Sequence, residues 1–351
     1  MKILLDAPIN SLSLGNVSLN IFRELTSLGH DVGVWPTGNV DIKAFDLKEK
    51  EVDLLSKSIS NRYEYLKEDI PVIKIWHLNG AENRKNPNQY LYTFYEASKP
   101  TKEELLISNA QTETIFSSSY SGDMFEKPSV PLGFDPDFYQ KDQPYLSDVV
   151  HFGLMGKFEN RKHTKKIIQT WASKYGNNNK YQLSCLINNP FLKDSDMLAL
   201  IRDALGEKPC TNINFLPFLE KNAEVNDFLN AIDIDLTGLS GAEGWNLPAF
   251  NATCLGKWSV VLNETSHKDW ANEENSLLVS SSGTKPIYDN IFFTEGSRFN
   301  QGEIYTWDEE EAIAAMEAAV EKSKTINTKG IDLGLDMTYT ETVEGILNHI
   351  K

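Results

Sequence analysis

The sequence predicts an α/β protein made of two doubly wound domains in tandem. The chain has 351 residues, enough for about two domains of roughly 100–200 residues each. Short apolar runs typical of strands alternate with segments of helical periodicity in both halves. A proline-rich stretch without a clear period, residues 129–148, interrupts this alternation. We therefore expect an N-terminal domain over residues 1–145 and a C-terminal domain over residues 146–337.

The first half begins with a strand–helix–strand unit. KILLDA (2–7) is a short apolar run, and residues 16–30 carry apolar side chains at helical spacing. Gly29 ends that helix, and DVGVWP (31–36) is the next strand. The mixed segment 42–69 indicates no definite element. The remaining expected elements of this half are strands at 71–77, 90–96 and 114–119 and helices at 103–111 and 119–127.

The same alternation restarts after the proline-rich stretch. The expected strands are 149–156, 181–188, 212–218, 233–239 and 258–263, and the expected helices are 163–176, 195–206 and 223–232. Strands that alternate with helices in this way predict a mainly parallel sheet. In such sheets ligands bind beyond the carboxyl ends of the strands, and two such domains enclose a cleft.

Composition excludes several classes of partner. The formal net charge of −16 argues against non-specific binding to nucleic acid or to anionic lipid, since phosphate partners require a basic surface. Three widely spaced cysteines form no metal-binding pattern and fit thiols in a reducing compartment. No signal-peptide core or long uncharged apolar run is present, so we expect a cytoplasmic protein without an integral membrane segment. Oligomeric state is not indicated.

The stretch GAEGWNLPAFNATCLGK, which starts at Gly241, opens a helix-like segment after an apolar run. Gly241 and Gly244 would let the backbone turn sharply and approach a ligand. Pro248 suits the first turn of a helix, and the amides of residues 244–247 would then form an anion site at the positive end of the helix dipole. Glu243 would accept two hydroxyl hydrogen bonds from a sugar. Alternatively, Glu243 caps the helix and the glycines only make the turn.

A second motif, GLMGKFENRKHT (153–164), places cations at the end of a strand. The strand ends at Gly156, and Lys157, Arg161 and Lys162 follow before a helix. Such a cluster would neutralise a diphosphate, or it is simply a solvated helix start. Together with the Glu-Gly loop in the same domain, it indicates a phosphate pocket.

These two motifs resemble those of retaining family 4 glycosyltransferases, which have the GT-B fold. The likeness covers nearly the whole chain. LGNVSLNIFRELTSLGHDVGVW resembles the family's first glycine loop and helix, and VPLGFDPDFY resembles its interdomain segment. NSLLVS, after the second motif, is similar to the family's segment of Asn, Gly and a hydrophobic residue. The resemblance implies an enzyme with two Rossmann-like domains facing a central cleft. It also implies that the C-terminal helix, 338–351, returns to the N-terminal domain.

The resemblance implies roles for the donor side of the site. Lys157 and Lys162 would bind the donor diphosphate and stabilise charge on the leaving group. Glu243 would accept hydrogen bonds from the donor sugar. The backbone and loop positions expected at the donor are Gly156, Gly244, Trp245, Asn246 and Leu247. The family's second acid is replaced here by Asn251, which loses charge-assisted bonds to the ribose hydroxyls but can still accept and donate hydrogen bonds.

The N-terminal domain departs from the family as well. Many members have a histidine after the strand that YLYTFYE resembles, whereas this chain has Tyr95 and Glu96. Glu96 is our candidate for contact with acceptor or sugar, the alternative being a solvent-facing acid. His77 either faces the cleft or is structural. Gly15 and Asn16 would lie where relatives approach the diphosphate or acceptor.

The sequence thus predicts a hexosyltransferase that uses a UDP-, GDP- or ADP-sugar donor and an acceptor it does not identify: a glycan, a small molecule or a protein. Asp233 and Asp235 spell the DxD of metal-dependent transferases but precede the Glu loop within a strand, so we expect neither a metal nor a cofactor. The alternatives are a non-catalytic sugar- or nucleotide-sugar-binding protein and a GT-B sugar-nucleotide epimerase or phosphorylase.

Overall fold

The computed structural model describes residues 1–67, 69–141, 146, 148–206 and 210–350, and these residues form two parallel sheets flanked by helices. The strands are β1 (Lys2–Ala7), β2 (Asp31–Pro36), β3 (Val72–Ile75), β4 (Gln89–Thr93), β5 (Glu113–Phe116), β6 (Val150–Met155), β7 (Tyr181–Leu186), β8 (Ile213–Phe215), β9 (Ile234–Asp235), β10 (Trp258–Leu262), β11 (Ser276–Val279), β12 (Gly283–Pro286) and β13 (Glu303–Thr306). The helices are α1 (Ser13–Ser27), α2 (Glu49–Ser60), α3 (Arg62–Tyr65), α4 (Lys102–Ala110), α5 (Ser119–Phe125), α6 (Thr164–Tyr175), α7 (Asp194–Leu205), α8 (Asn222–Ala231), α9 (Leu247–Cys254), α10 (Glu309–Lys322), α11 (Thr328–Asp336) and α12 (Tyr339–Leu347).

Each half of the chain forms its own sheet. The first sheet has the order β2-β1-β3-β4-β5, and the second has the order β11-β10-β9-β6-β7-β8. Every pairing within these two sheets is parallel. Strands such as β4 and β10 are buried over their whole length, as expected where helices cover both faces of a parallel sheet. The predicted α/β class is therefore confirmed. The expected boundary after residue 145 falls at residues outside the described ranges.

Some elements differ from the prediction. The expected strand 233–239 is only β9, because a short 3₁₀ turn over Thr237–Leu239 carries the chain away from the sheet. The mixed segment contains α2, an amphipathic helix that buries Leu55 and Ser58. Strand β11, the antiparallel pair β12–β13 and helices α3, α10 and α11 are additional to the predicted elements.

The last helix lies against the first half of the molecule. A capping box of Thr338 and Glu341 starts α12. Thr340 Oγ1 donates to Glu24 Oε1 of α1 at 3.0 Å, and Thr342 Oγ1 donates to the carbonyl of Pro131 at 2.9 Å. Among the helices of the described ranges, none has both the length and the apolar character needed to cross a membrane.

Candidate functional site

A cavity of about 620 Å³ lies between the two sheets. Part of its lining comes from the segments that follow strands: Trp76 after β3, Glu96 after β4, Lys157 after β6, and Glu243 in the loop between β9 and α9. The carboxyl ends of both sheets therefore meet at this cavity, which is where doubly wound sheets bind ligands. Its volume suits a small organic ligand.

Glu243 is the most heavily bonded acid of the cavity. Its Oε1 lies 2.5 Å from Lys162 Nζ and accepts from Ser240 Oγ at 2.7 Å, and its Oε2 lies 3.0 Å from a guanidinium nitrogen of Arg161. The helix cap of α9 is Asn246, so the interpretation of Glu243 as a mere cap is wrong. Burial would raise the pKa of Glu243, but Arg161 and Lys162 hold it below its ordinary range. Glu243 is therefore ionised, with acceptor capacity left on Oε2 for a hydroxyl group.

A second acid, Glu159, completes the cluster. It lies 2.8 Å from Lys157 Nζ and 3.1 Å from Arg161, and only 3% of its side chain is exposed. Arg161 is as buried as its acids and also lies 4.0 Å from Glu96. The motif is therefore not a solvated helix start. Sequence reasoning missed Glu159, although an acid among three cations in GKFENRKHT was a signal that such a network exists.

The loop before α9 offers unpaired backbone amides. Within the described part of the chain, the amides of residues 244–247 donate to no other group. They lie at the start of α9, where Pro occupies the first turn. This arrangement suits an anion, because the helix dipole adds to the free donors.

The glycines of this loop serve close packing rather than the expected sharp turn. A Cβ on Gly244 would lie 3.0 Å from Phe94 Cβ, and one on Gly241 would lie 2.6 Å from the carbonyl oxygen of Tyr305. Neither glycine has a positive φ, whereas Asn246 does, at 68°. The backbone of the loop therefore touches the end of β4, which places the two halves of the cavity in direct contact.

Asn246 and Asn251 both line the cavity. Asn246 is fixed to the protein, since its amide nitrogen donates to the carbonyl of Thr237 at 3.1 Å and lies 2.9 Å from His267 Nε2. Asn251 is 5% exposed, and its Oδ1, like that of Asn246, has no hydrogen-bond partner among the described residues. An unpaired buried acceptor in a cavity wall is a group that a ligand can satisfy.

The first half of the chain contributes His77 and Asn16. His77 lines the cavity with an exposed side chain, and desolvation by the surrounding protein lowers its pKa, with Glu96 acting in the opposite direction and Lys157 and Arg161 in the same one. Asn16 accepts a hydrogen bond from Asn222 Nδ2 at 2.8 Å, which links α1 to the start of α8 across the cavity.

The structure brings most of the predicted site residues together. Those that line the cavity are Asn16, His77, Glu96, Gly156, Lys157, Arg161, Lys162, Glu243, Gly244, Trp245, Asn246, Leu247 and Asn251. Gly15 does not reach it, since it packs against Asn10. Tyr95 is buried beside the cavity wall and donates to Glu104 at 3.0 Å. The described residues contain no cluster of three or more His, Cys, Asp or Glu side chains suited to a metal.

No protein-family model and no curated protein matches the chain. Solved structures match it over nearly its whole length. HepE from Anabaena, in complex with UDP and glucose, has a TM-score of 0.67 at 14% identity and covers 99% of this chain and 98% of its own. Sucrose-phosphate synthase from Thermosynechococcus elongatus has a TM-score of 0.61 at 13% identity, covering 100% and 95%. A glycosyltransferase from Rickettsia africae has a TM-score of 0.65 at 9% identity, covering 99% and 97%.

The fold and the cavity together define the structural class. Two parallel α/β sheets face one cavity at their carboxyl ends, and the matching structures share the overall fold over 99–100% of this chain. The chain has the GT-B fold.

Proposed function

We propose that this protein is a glycosyltransferase that moves a hexosyl group from a nucleoside-diphosphate sugar to an acceptor hydroxyl, with retention and without a metal or other cofactor. The observation that carries the proposal is Glu243, ionised between Arg161 and Lys162 in the cavity between the sheets. The solved structure of HepE, which has the same fold, holds UDP and glucose. The three free cysteines support a reducing compartment, the cytoplasm.

The site suits the diphosphate part of a donor. The free amides of residues 244–247 and the ammonium groups of Lys157 and Lys162 line one cavity, so a diphosphate there meets both a helix terminus and cations. Charge grows on the diphosphate as the bond to the sugar breaks, and fixed positive groups stabilise it most in the transition state. Glu243 would then hold the sugar by its hydroxyl groups.

Transfer needs no nucleophile from the protein. The bond between the acceptor oxygen and the anomeric carbon forms as the bond from that carbon to the phosphate oxygen breaks. The proton of the acceptor hydroxyl passes to the leaving phosphate oxygen on the same face. In this scheme Glu96, which lies 4.0 Å from Arg161, contacts the acceptor or the sugar.

A second candidate function is binding of a nucleotide sugar without turnover. It is favoured by Asn251, which stands where the resembled family has an acid. It is also favoured by the pairing of the cations, since Lys157, Arg161 and Lys162 already face Glu159 and Glu243. A site with neutralised cations attracts a diphosphate less strongly than one with free cations.

Calorimetric titration with UDP-, GDP- and ADP-glucose, followed by assay of donor hydrolysis, separates these functions. The proposal expects one donor to bind and to release its nucleoside diphosphate slowly in the absence of acceptor. Binding without any turnover would favour the second candidate, and no binding to any donor would refute both.

Lys162→Ala tests the phosphate role directly, with Lys165→Ala as the matched control. Lys165 lies in the first turn of α6 and pairs with the exposed Asp203 at 2.6 Å, away from the cavity lining. We expect the Lys162 variant to lose donor binding and the Lys165 variant to keep it. Near-normal donor affinity of the Lys162 variant would remove that residue from the phosphate site.

A further inference from the structure

Two phenyl rings enclose the ammonium group of Lys157. Lys157 Nζ lies 5.4 Å from the ring centroid of Phe191 and 4.7 Å from that of Phe292. The two ring centroids are 5.3 Å apart, with their planes at 82°. Glu159 contacts the same ammonium group at 2.8 Å. A lysine at the end of a strand thus has its head group fixed by two rings and a carboxylate.

Phe292 belongs to a loop that is built to hold its shape. The loop joins β12 to β13, and Asp289 Oδ1 accepts hydrogen bonds from the backbone amides of Ile291, Phe292 and Phe293 at 2.8, 2.9 and 3.0 Å. The next side chain, Phe293, is buried with residues of the first half of the chain and lies 6.0 Å from the guanidinium carbon of Arg161. Adjacent phenylalanines therefore contact two cations of the cluster.

The far end of the same loop is attached to the first half of the molecule. The backbone amide of Asn300 donates to Glu104 Oε1 at 2.7 Å, and that of Glu303 donates to Ser98 Oγ at 2.8 Å. The loop therefore spans both halves, and Phe292 reaches Lys157 from a segment fixed on each side.

We infer that Phe292 is a positioning residue for diphosphate binding, which acts through Lys157 with Phe191 as its partner ring. The inference rests on the proposed function, because it takes the diphosphate as the ligand of Lys157. The rings hold the ammonium group by cation–π attraction, while the 36% of the Lys157 side chain that stays exposed leaves it accessible to a ligand. A preorganised, partly desolvated cation binds a phosphate more strongly than a freely moving one, since less conformational freedom is lost on binding.

The test compares nucleotide affinities of Phe292 variants by calorimetry. UDP, GDP and ADP are titrated into the wild-type protein, and the tightest of them is used with its monophosphate for all variants. Phe292→Ala should weaken diphosphate binding about three- to tenfold, in line with a cation–π contact. Phe292→Tyr, which keeps the ring face, should stay close to wild type. Ile291→Ala is the matched control on the same loop, since its side chain is exposed and contacts no cation of the cluster.

A double-mutant cycle distinguishes positioning from a merely structural role. In a Lys157→Met background, Phe292→Ala should change diphosphate affinity by less than about twofold, because the residue through which it acts is gone. The monophosphate should lose less affinity than the diphosphate in the single variant. Equal losses for both nucleotides, or an undiminished loss in the Lys157→Met background, would overturn the inference while leaving the proposed function intact. Failure of the wild type to bind any of the three diphosphates would overturn the proposed function and this inference with it.

Discussion

Replacing Arg161 by methionine tests whether the buried ion network holds the acids of the cavity. Arg161 is 5% exposed and lies 3.0 Å from Glu243 and 3.1 Å from Glu159. Methionine keeps an extended side chain but leaves two buried carboxylates without their shared cation. Removal of one partner from a buried ion pair costs about 3–5 kcal/mol. We expect the free energy of unfolding at pH 7 to fall by about that amount.

The loss of unfolding free energy in the Arg161→Met variant should become smaller as the pH is lowered. Burial raises the pKa of Glu243, but Arg161 and Lys162 bring it below the ordinary value of 4.5. A depressed pKa in the folded state stabilises the protein above pH 4.5, and this stabilisation disappears as pH falls toward the folded-state pKa. Without Arg161, Glu243 takes up a proton at a higher pH than in the wild type, and the protonated group no longer suffers the cost of a buried, incompletely paired charge. The difference between variant and wild type should therefore shrink as the pH is lowered.

Urea unfolding at several pH values measures both quantities. Lys165→Ala removes an ion pair whose side chains are 46% and 58% exposed, and such a surface pair contributes about 0–1 kcal/mol. A loss in the Arg161 variant no larger than that of this control, or one independent of pH, would refute the account of the network.

Three further variants test neighbouring features. Asn251→Glu places an acid beside the ribose in the proposed binding mode and should tighten nucleotide binding, measured by calorimetry, about three- to tenfold. A 2′,3′-dideoxynucleotide should show no such gain in affinity. An equal gain for both nucleotides would place Asn251 away from the ribose. Gly244→Ala puts a Cβ 3.0 Å from Phe94 Cβ and should lower the free energy of unfolding by about 1–3 kcal/mol. An unchanged free energy of unfolding would mean that the loop moves aside and that the close packing is not required. Burial lowers the pKa of His267 from 6.5 to about 4, so between these pH values this residue is protonated only in the unfolded chain, and stability should fall as the pH drops through this window. Thermal melts of His267→Gln should show a smaller decrease of melting temperature with falling pH. An unchanged pH dependence would exclude His267 as its source.

Much of the fold is predictable because each strand and helix carries a local signal. The mostly apolar β10 and the helical spacing of α1, ended by Gly29 with φ 82°, are readable from a few residues. Helix α2 was readable as well, since Val52, Leu55 and Ile59 recur at helical spacing and glutamates occupy its first turn. The omission of α10 was avoidable, since Asp308 and three glutamates in its first turn are typical of a helix start.

The site is predictable in part for the same reason. The Lys157–Lys162 motif and the Glu243 loop are local patterns, and the structure brings both to one cavity. Phe292 could not be found this way, because it meets Lys157 only through a hairpin more than a hundred residues later in the chain. The packing role of Gly244 also depends on a contact with the other half of the molecule, which a single stretch of sequence does not contain.

A crystal structure with the tightest-binding nucleotide sugar tests the central claim most directly. The account predicts a diphosphate within hydrogen-bond distance of Lys162 and of the amides of residues 244–247, with hydroxyl groups of the sugar on Glu243. A donor bound outside the cavity between the two sheets, or one whose phosphates avoid both Lys157 and Lys162, would contradict it.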